Sequence, residues 1–420
     1  MLQLDSQQTE IVNSKAQNIV VVAGAGSGKT RVLTERIKHL IQVGVPASDI
    51  VAITFTNMAA EEMRARLKSV PQIGDAFVGT IHSFANRIYK NSGIRYELLT
   101  DETEHLIFEE LLNKPKYAAL TLKRWLMYKD LEKLVEMGKK DECFLQDFLT
   151  PSEKNVLYKC EEDKFAIMRR DNIITFDELI DYAGAYYKSI GAIIDHVLVD
   201  ELQDIGTAEY KFIRNLKASC YFFVGDDWQA IYGFKGGNVE IFKNLVMDST
   251  FTTYYLTNNY RNARAIIKLG EQIISQIPDR LDKTTNIIST IEGTITCQTK
   301  TWPERIIALL DKDRTRLCDW FVLTRSNKEA YELADLLDDN GLDYCFIRKS
   351  DLTLDELQEA MLKNQVKIMT VHSSKGLESK KVILYGNFPI MQPTYLRNLD
   401  ERKVMYVGVT RAKEELHIFN

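Results

Sequence analysis

The 420-residue sequence predicts an α/β protein of two lobes with parallel sheets, plus one helical insertion in the first lobe. Three observations lead there. Short runs of apolar and β-branched residues alternate with amphipathic helical segments, the pattern of parallel strands covered on both faces. Glycine-rich or polar clusters follow directly on several of those runs, where a doubly wound sheet gathers its ligand-binding residues. Residues 88–172 break the alternation with helical periodicity, charges of both signs and almost no strand signal.

Composition bounds the function. With 45% hydrophobic and 27% charged residues the chain is an ordinary globular one, long enough for two or three cores. No apolar run approaches the ~20 residues that span a bilayer, so no membrane partner is expected. No signal peptide is expected before the first strand. The six cysteines (143, 160, 220, 297, 318, 345) are scattered without a C-x-x-C pair. That spacing argues against a thiolate metal site and for reduced thiols in a cytoplasmic protein. A net charge of −5 supplies no global basic field, so any nucleic-acid role must rest on a local groove.

The first strand is residues 19–22, I-V-V-V, followed by the loop A-G-A-G-S-G and by Lys29-Thr30. Val32, Leu33, Ile37, Leu40 and Ile41 then share one helical face, and Gly44 is placed to end that helix. Strand, glycine loop, Lys-Thr and helix form a phosphate cradle across Ala23, Gly24, Ala25, Gly26, Ser27 and Gly28. Backbone N–H groups wrap the anion, Lys29 reaches the outer phosphates and the Thr30 hydroxyl holds Mg²⁺. Ala23 stands where the usual pattern begins with glycine. Upstream, the Gln8 amide both donates and accepts, as reading an adenine edge requires, although a surface glutamine is the plainer reading.

Residues 50–55 form a second strand and 58–67 a helix, and a third strand at 77–80 runs into Thr80-Ile81-His82-Ser83-Phe84. Within 88–172, Leu106, Ile107, Leu111 and Leu112, then Trp125, Leu126, Leu131, Leu134 and Val135, mark packed helices. Thr175 and Glu178 make a capping box that opens the next helix. Strands resume at 193–199, 221–224 and 253–256. A second set is expected near 294–298, 320–324, 344–347, 366–370, 381–385 and 415–419. The expected domains are 1–87 and 173–257 for the first lobe, 88–172 for the insertion and 258–420 for the second lobe.

The polar residues sit at strand ends. Asp200 and Glu201 are adjacent, so one carboxylate can serve the Mg²⁺ shell while the other polarises the attacking water. Gln229 closes a later strand, where an amide can touch both water and the terminal phosphate. Arg261 and Arg411 are candidates to meet the charge that develops on phosphoryl oxygens, with surface salt bridges as the plainer alternative.

Taken together, these stretches resemble superfamily 1A DNA helicases, the UvrD/Rep/PcrA group. The matching pieces are Gln8, A-G-A-G-S-G-K-T-R (23–31), T-F-T-N-M-A-A (54–60), T-I-H-S-F (80–84), V-D-E-L-Q-D (199–204), V-G-D-D-W-Q-A-I-Y-G-F (224–234), N-Y-R (259–261), T-V-H-S-S-K-G-L-E (370–378) and Y-V-G-V-T-R-A (406–412). They occur in the family's order, and G-D-D-W-Q-A-I-Y is nearest the helicase IV branch. Ala23 is the family's own form of the loop.

The resemblance implies two RecA-like lobes and a role for each site residue. Gln8 would read adenine and Tyr260 would stack on it. Lys29 and Thr30 would hold phosphates and Mg²⁺, with Arg31 in support. Asp200 would join the metal shell and Glu201 would be the base. Gln229, Arg261 and Arg411 would sense the γ-phosphate, and Glu378 would accept a ribose hydroxyl. For DNA, Phe55, Tyr232 and Phe234 would stack on bases, although core packing is the plainer reading of Phe55 and Phe234. Thr80, His82, Arg325 and His372 would touch the backbone.

Departures from the family are expected to matter. Only residues 326–369 separate T-R-S-N from T-V-H-S-S-K-G, too few for the family's second insertion, 2B. The hairpin that follows Arg411 in relatives and separates strands is expected to be missing. Lys235 replaces an arginine. The implied activity is an ATP- and Mg²⁺-dependent 3′→5′ motor on single-stranded or 3′-tailed DNA, with weak unwinding alone. The alternative is a nucleotide-gated DNA-binding or regulatory subunit of a nuclease, defence or repair complex. A bacterial or phage-encoded cytoplasmic protein is expected. RNA stays open, since nothing legible here reads a 2′-hydroxyl.

Overall fold

The structure is a computed structural model that describes residues 3–117, 151–298, 303–348, 352–386, 388 and 399–419. Trp125, Leu126, Leu131, Leu134, Val135 and Cys143 lie outside the described residues, as does the side chain of Lys235. The chain divides into two compact units, Met1–Ile81 with Ala192–Asn420, and His82–Gly191.

The larger unit contains two six-stranded parallel sheets. The first comprises β1 (Asn18–Ala23), β2 (Ile50–Thr54), β3 (Phe77–Thr80), β4 (His196–Val199), β5 (Cys220–Gly225) and β6 (Thr252–Leu256), in the order β3-β2-β4-β5-β1-β6. Residues 19 to 22 are all buried because both faces of β1 are covered. Ile19, Val21 and Ala23 join Ile11 and Val12 of helix Ser6–Asn13 and Val32, Leu33 and Ile37 of helix Lys29–Gln42 in one core. β4 starts later than its apolar run suggests. Ile193 is 72% exposed, and pairing begins at His196.

The second sheet comprises β7 (Thr294–Gln298), β8 (Trp320–Thr324), β9 (Tyr344–Phe346), β10 (Val366–Thr370), β11 (Ser379–Tyr385) and β12 (Ala412–Phe419), in the order β7-β12-β11-β8-β10-β9. Strand alternation sorts its side chains. Trp320, Val322, Ile368 and Ile383 pack with Leu333 and Leu337 of helix Asn327–Asp339. Phe321, Leu323, Met369 and Leu384 pack on the other face with Ile266 and with Val404 and Val407 of helix Leu399–Val409. Ile231, from the segment after β5 in the first sheet, is buried in this second core. Between β8 and β10 the described residues form helix Asn327–Asp339, strand β9 and helix Leu354–Leu362.

The smaller unit is helical apart from a two-residue parallel pairing of Glu97–Leu98 with Ile173–Ile174. Ile107, Phe108, Leu111 and Leu112 pack against Leu157, Cys160 and Met168 of helix Pro151–Asp171. Thr175 and Glu178 make the expected capping box of helix Phe176–Ser189. The described cysteines are free, and no described helix is long and apolar enough to cross a membrane.

Leu323 is fully buried against the helix that carries residues 404–409. Leu323→Ala is expected to destabilise the fold by about 2–5 kcal/mol, read as a lower midpoint in urea denaturation.

Candidate nucleotide and nucleic-acid site

β1 delivers the glycine loop to its carboxyl end. Gly26 and Gly28 take φ values of +68° and +88°, which L side chains rarely adopt. A Cβ on Gly26 would stand 2.7 Å from Arg261 Cβ, and one on Gly28 would stand 3.0 Å from Gln8 Nε2. The loop is therefore wedged between the N-terminal helix and the segment after β6. Its carbonyls are tied from outside. Asn259 Nδ2 donates to Ala25 O at 2.9 Å, Tyr260 N to Gly26 O at 3.1 Å and Gln8 Nε2 to Ser27 O at 3.2 Å. The Ser27 hydroxyl closes the turn on Gly24 O at 2.8 Å. A loop bound this way keeps its N–H groups, and the start of helix Lys29–Gln42, to meet an anion.

Thr30 Oγ1 donates to Asp200 Oδ2 at 2.9 Å, bringing a hydroxyl and a carboxylate together. Among the described residues no group of three or more His, Cys, Asp or Glu forms a metal cluster. This pair of hard oxygens suits Mg²⁺, which keeps several waters and takes the rest of its shell from phosphates. Glu201 follows with φ +53°, a left-handed backbone that costs a non-glycine residue energy. Burial and the neighbouring Glu201 charge push Asp200 above the usual carboxylate range. Burial acts on Glu201 in the same sense, but Lys29, then Lys375, outweigh it and hold that carboxylate low and ionised.

A connected set of polar side chains surrounds these carboxylates. Gln229 Nε2 donates to Asp226 Oδ2, and Gln229 Oε1 accepts from Arg411 Nη2 at 3.2 Å. Arg411 also donates to Val407 O at 3.0 Å and Leu377 O at 3.1 Å. Burial, with Arg261 next, pulls Arg411 down to about 9, which leaves it charged at neutral pH. Arg261 is ion-paired with Glu378, whose other oxygen lies 2.7 Å from Lys413 Nζ. Glu378 thus holds two cations here. The structure thereby joins Glu201, Gln229, Arg411, Lys29, Thr30 and Asp200 in one cluster and sets Arg261 and Glu378 at its edge.

At the other end of the cradle, Gln8 is buried and caps its own helix with Asp5. The Tyr260 ring is 46% exposed, and its hydroxyl bonds to Asp5 while Asn258 Nδ2 donates to it at 3.3 Å. Arg31 is the third residue of helix Lys29–Gln42 and is half-buried.

The aromatic residues expected for DNA also converge. Phe55 stacks on Tyr232 with centroids 5.0 Å apart and planes 23° from parallel. Phe234 meets His372 edge-on at 5.4 Å, and Tyr232 OH donates to His372 O at 3.1 Å. Phe234 is 70% exposed, which removes core packing as its explanation. Thr80 ends β3. His82 lies in the smaller unit, edge-on to Phe176 at 5.2 Å. Arg325 follows β8 and makes a two-pronged pair with Glu401, so its guanidinium is already engaged.

Sequence reasoning gave no role to several residues that build the site. Lys375 donates to Gln229 O at 2.9 Å, pairs with Asp204 and lies 3.8 Å from Glu201, with its ammonium 5.1 Å from the Tyr232 ring centroid. Asn259 and Asn262 bond to each other, and Asn262 Nδ2 donates to Thr410 O at 3.0 Å and Ala412 O at 2.5 Å. Asp226 receives Gln229, Lys29 and Lys283 together. Lys375, Asn259 and Asp226 fall inside the matching stretches, so their signal was position within a motif. Lys283 and Asn262 lie outside them.

A family model described as the UvrD/REP helicase N-terminal domain matches residues 4–250, and one described as the UvrD-like helicase C-terminal domain matches residues 344–420. A probable DNA helicase of Mycoplasma pneumoniae is 27% identical over 460 aligned positions, covering 100% of this chain and 83% of that protein. DNA helicase II of Haemophilus influenzae is 31% identical over 306 positions, covering 67% of this chain and 41% of the relative. ATP-dependent DNA helicase Rep of Buchnera aphidicola is 29% identical over 384 positions, covering 83% and 58% respectively. The chain thus spans 41% and 58% of the latter two relatives.

Asn262 is fully buried, and its amide satisfies two backbone carbonyls beside Arg411. Asn262→Ala leaves both without that donor and is expected to cost about 1–3 kcal/mol of stability, measured by urea denaturation.

Proposed function

The chain belongs to the UvrD/REP helicase family, and we propose that it is an ATP-dependent motor that steps 3′→5′ along single-stranded or 3′-tailed DNA. One observation supports this reading above the others. Lys375 contacts Glu201 and Asp204 on one side and faces the Tyr232 ring on the other. The carboxylates suited to hydrolysis and the aromatic residues suited to stacking bases therefore share one buried cation. A change at either reaches the other through a single side chain.

In this reading Gln8 and Tyr260 hold the adenine, and the loop from Ala23 to Gly28 with Lys29 and Arg31 holds the phosphates. Thr30 and Asp200 are the protein ligands of Mg²⁺, which would neutralise charge on the phosphate oxygens. Glu201, kept ionised by Lys29 and Lys375, takes the proton of the attacking water. Gln229 orients that water, and Arg261 and Arg411 meet the charge that develops on the transferred group. Arg261 must leave Glu378 to do so, which frees that carboxylate for a ribose hydroxyl. Lys375 follows a strand of the second sheet and Arg411 immediately precedes another, whereas Glu201 and Gln229 follow strands of the first. Drawing the sheets together around nucleotide would shift Tyr232 and Phe234 against the stacked bases. Thr80, His82, Arg325 and His372 would then track the DNA backbone. Residues 326–369 leave no room for a second inserted domain, and unwinding by the chain alone is expected to be weak.

The test is ATP hydrolysis with and without single-stranded oligonucleotide, followed by translocation assays on strands blocked at either end. DNA should stimulate hydrolysis, and movement should run 3′→5′. Glu201→Gln should retain ATP and DNA binding and lose turnover. A wild-type protein that binds ATP and DNA without turnover would support a nucleotide-gated binding subunit instead. Phe234→Ala should weaken single-stranded DNA binding by about 1–3 kcal/mol, whatever the base sequence, in a fluorescence anisotropy titration.

A further inference from the structure

One buried cation in the cluster has no part in the roles above. Lys283 lies in the segment that follows helix Arg264–Ile274, and its side chain is 4% exposed. Its ammonium is 2.5 Å from Asp226 Oδ1 and 2.7 Å from Asp227 Oδ1, and 4.6 Å from the Trp228 ring centroid. The segment is pinned there. Leu281 N donates to Asp227 Oδ2 at 2.8 Å, and Trp228 Nε1 donates to Leu281 O at 3.0 Å. The other oxygen of Asp226 accepts from Gln229 and lies 3.8 Å from Lys29 Nζ. Two lysines and two aspartates thus form a quartet of zero net charge directly beside the phosphate loop.

We propose that Lys283 is a positioning residue for nucleotide binding: by neutralising Asp226 it leaves Lys29 free for phosphate and keeps Gln229 aimed at the reaction centre. This rests on the ATP reading given above. A buried carboxylate stripped of its partner draws on the nearest remaining cation. For Asp226 that cation is Lys29, which already stands at 3.8 Å. Loss of Lys283 therefore acts twice against ATP. Lys29 is captured by Asp226, and the quartet becomes net negative next to a polyanion. Neutralising Asp226 as well removes both effects, because Lys29 loses its competitor and the added negative charge disappears. Sequence reasoning had no route to this residue, since Lys283 lies 57 positions from Asp226 and in no matching stretch.

The experiment compares wild type, Lys283→Met, Asp226→Asn and the double variant. It measures the Kd for a fluorescent N-methylanthraniloyl-ATP, and KM and kcat for ATP with saturating oligonucleotide. Lys283→Met should raise both Kd and KM about tenfold or more, the size expected when a buried charge pair is broken. In the Asp226→Asn background the same substitution should change them by less than about threefold, a non-additivity that marks direct coupling. Lys283→Gln, which keeps a donor without the charge, carries the same expectation and replaces the methionine variant if that one shows no cooperative thermal transition. A folded charge-free variant with unchanged Kd and KM overturns the proposal, as does an equal rise in the Asp226→Asn background. A purely structural lysine would lower the melting temperature and leave Kd alone. The proposed function fails separately, through a wild type without DNA-stimulated hydrolysis, because nucleotide Kd is read without turnover.

Discussion

The structure depends on how the glycine loop is closed from outside. Gln8, Asn259 and Tyr260 occupy three successive carbonyls of the loop, and side-chain Cβ atoms at Gly26 or Gly28 would collide with Arg261 or Gln8. The N-terminal helix and the segment after β6 are therefore not accessories to the cradle. They determine which of its polar atoms remain to meet a phosphate. The same clamp extends further, because Asn259 bonds Asn262 and Asn262 holds the carbonyls of Thr410 and Ala412 on either side of Arg411. A two-residue relay of amides thus ties the phosphate loop to the arginine of the second sheet's final helix–strand turn.

Charge compensation is the second constraint. Asp200, Glu201, Asp204, Asp226 and Asp227 gather at the ends of two adjacent strands, and apart from the half-buried Glu201 they are buried. Such a concentration is stable only with matched cations, since an unpaired buried carboxylate costs several kcal/mol or takes up a proton. The cations come from distant parts of the chain. Lys29 comes from the loop helix, Lys283 from the segment after Arg264–Ile274, and Lys375 from the turn after β10. The first sheet supplies the acids and the second part of the chain supplies most of the compensation. The site consequently exists as such only when both sheets are folded against each other.

Much of this was legible because the chemistry is local in sequence. A strand, a glycine loop and Lys-Thr announce themselves within twelve residues, and Asp200-Glu201 sits at a strand end where a parallel sheet gathers its ligands. Alternation of strand and helix sufficed for the two parallel sheets. What stayed hidden was partner choice. Nothing in the spacing of Glu378 indicates that Arg261 and Lys413 share it, or that Arg325 is held by Glu401. Lys283 and Asn262 act across separations that leave no periodicity to read. Strand boundaries slipped for a related reason. Ile193 has the composition of a strand residue but no pairing partner, so it is exposed while His196 is not.

The aromatic platform ties these constraints together. Tyr232 stacks on Phe55 from the first sheet, donates its hydroxyl to His372 O beyond β10 of the second, and lies under the Lys375 ammonium. Each contact is weak alone, with stacking or cation–π attraction worth about 0.5–2 kcal/mol. Their arrangement matters more than their sum. The Tyr232–His372 bond, the Lys375–Asp204 pair and the Arg411–Gln229 bond all cross between the two sheets' loops, and the last two involve Gln229 itself or the lysine that neighbours Glu201. The aromatic cluster and the buried carboxylates are therefore linked to one another, because both are anchored on the turns that follow β4, β5 and β10. Rigid strands behind short turns transmit a shift without absorbing it. On the proposed function, the exposed ring of Phe234 is where a displacement of the sheets would reach a bound strand.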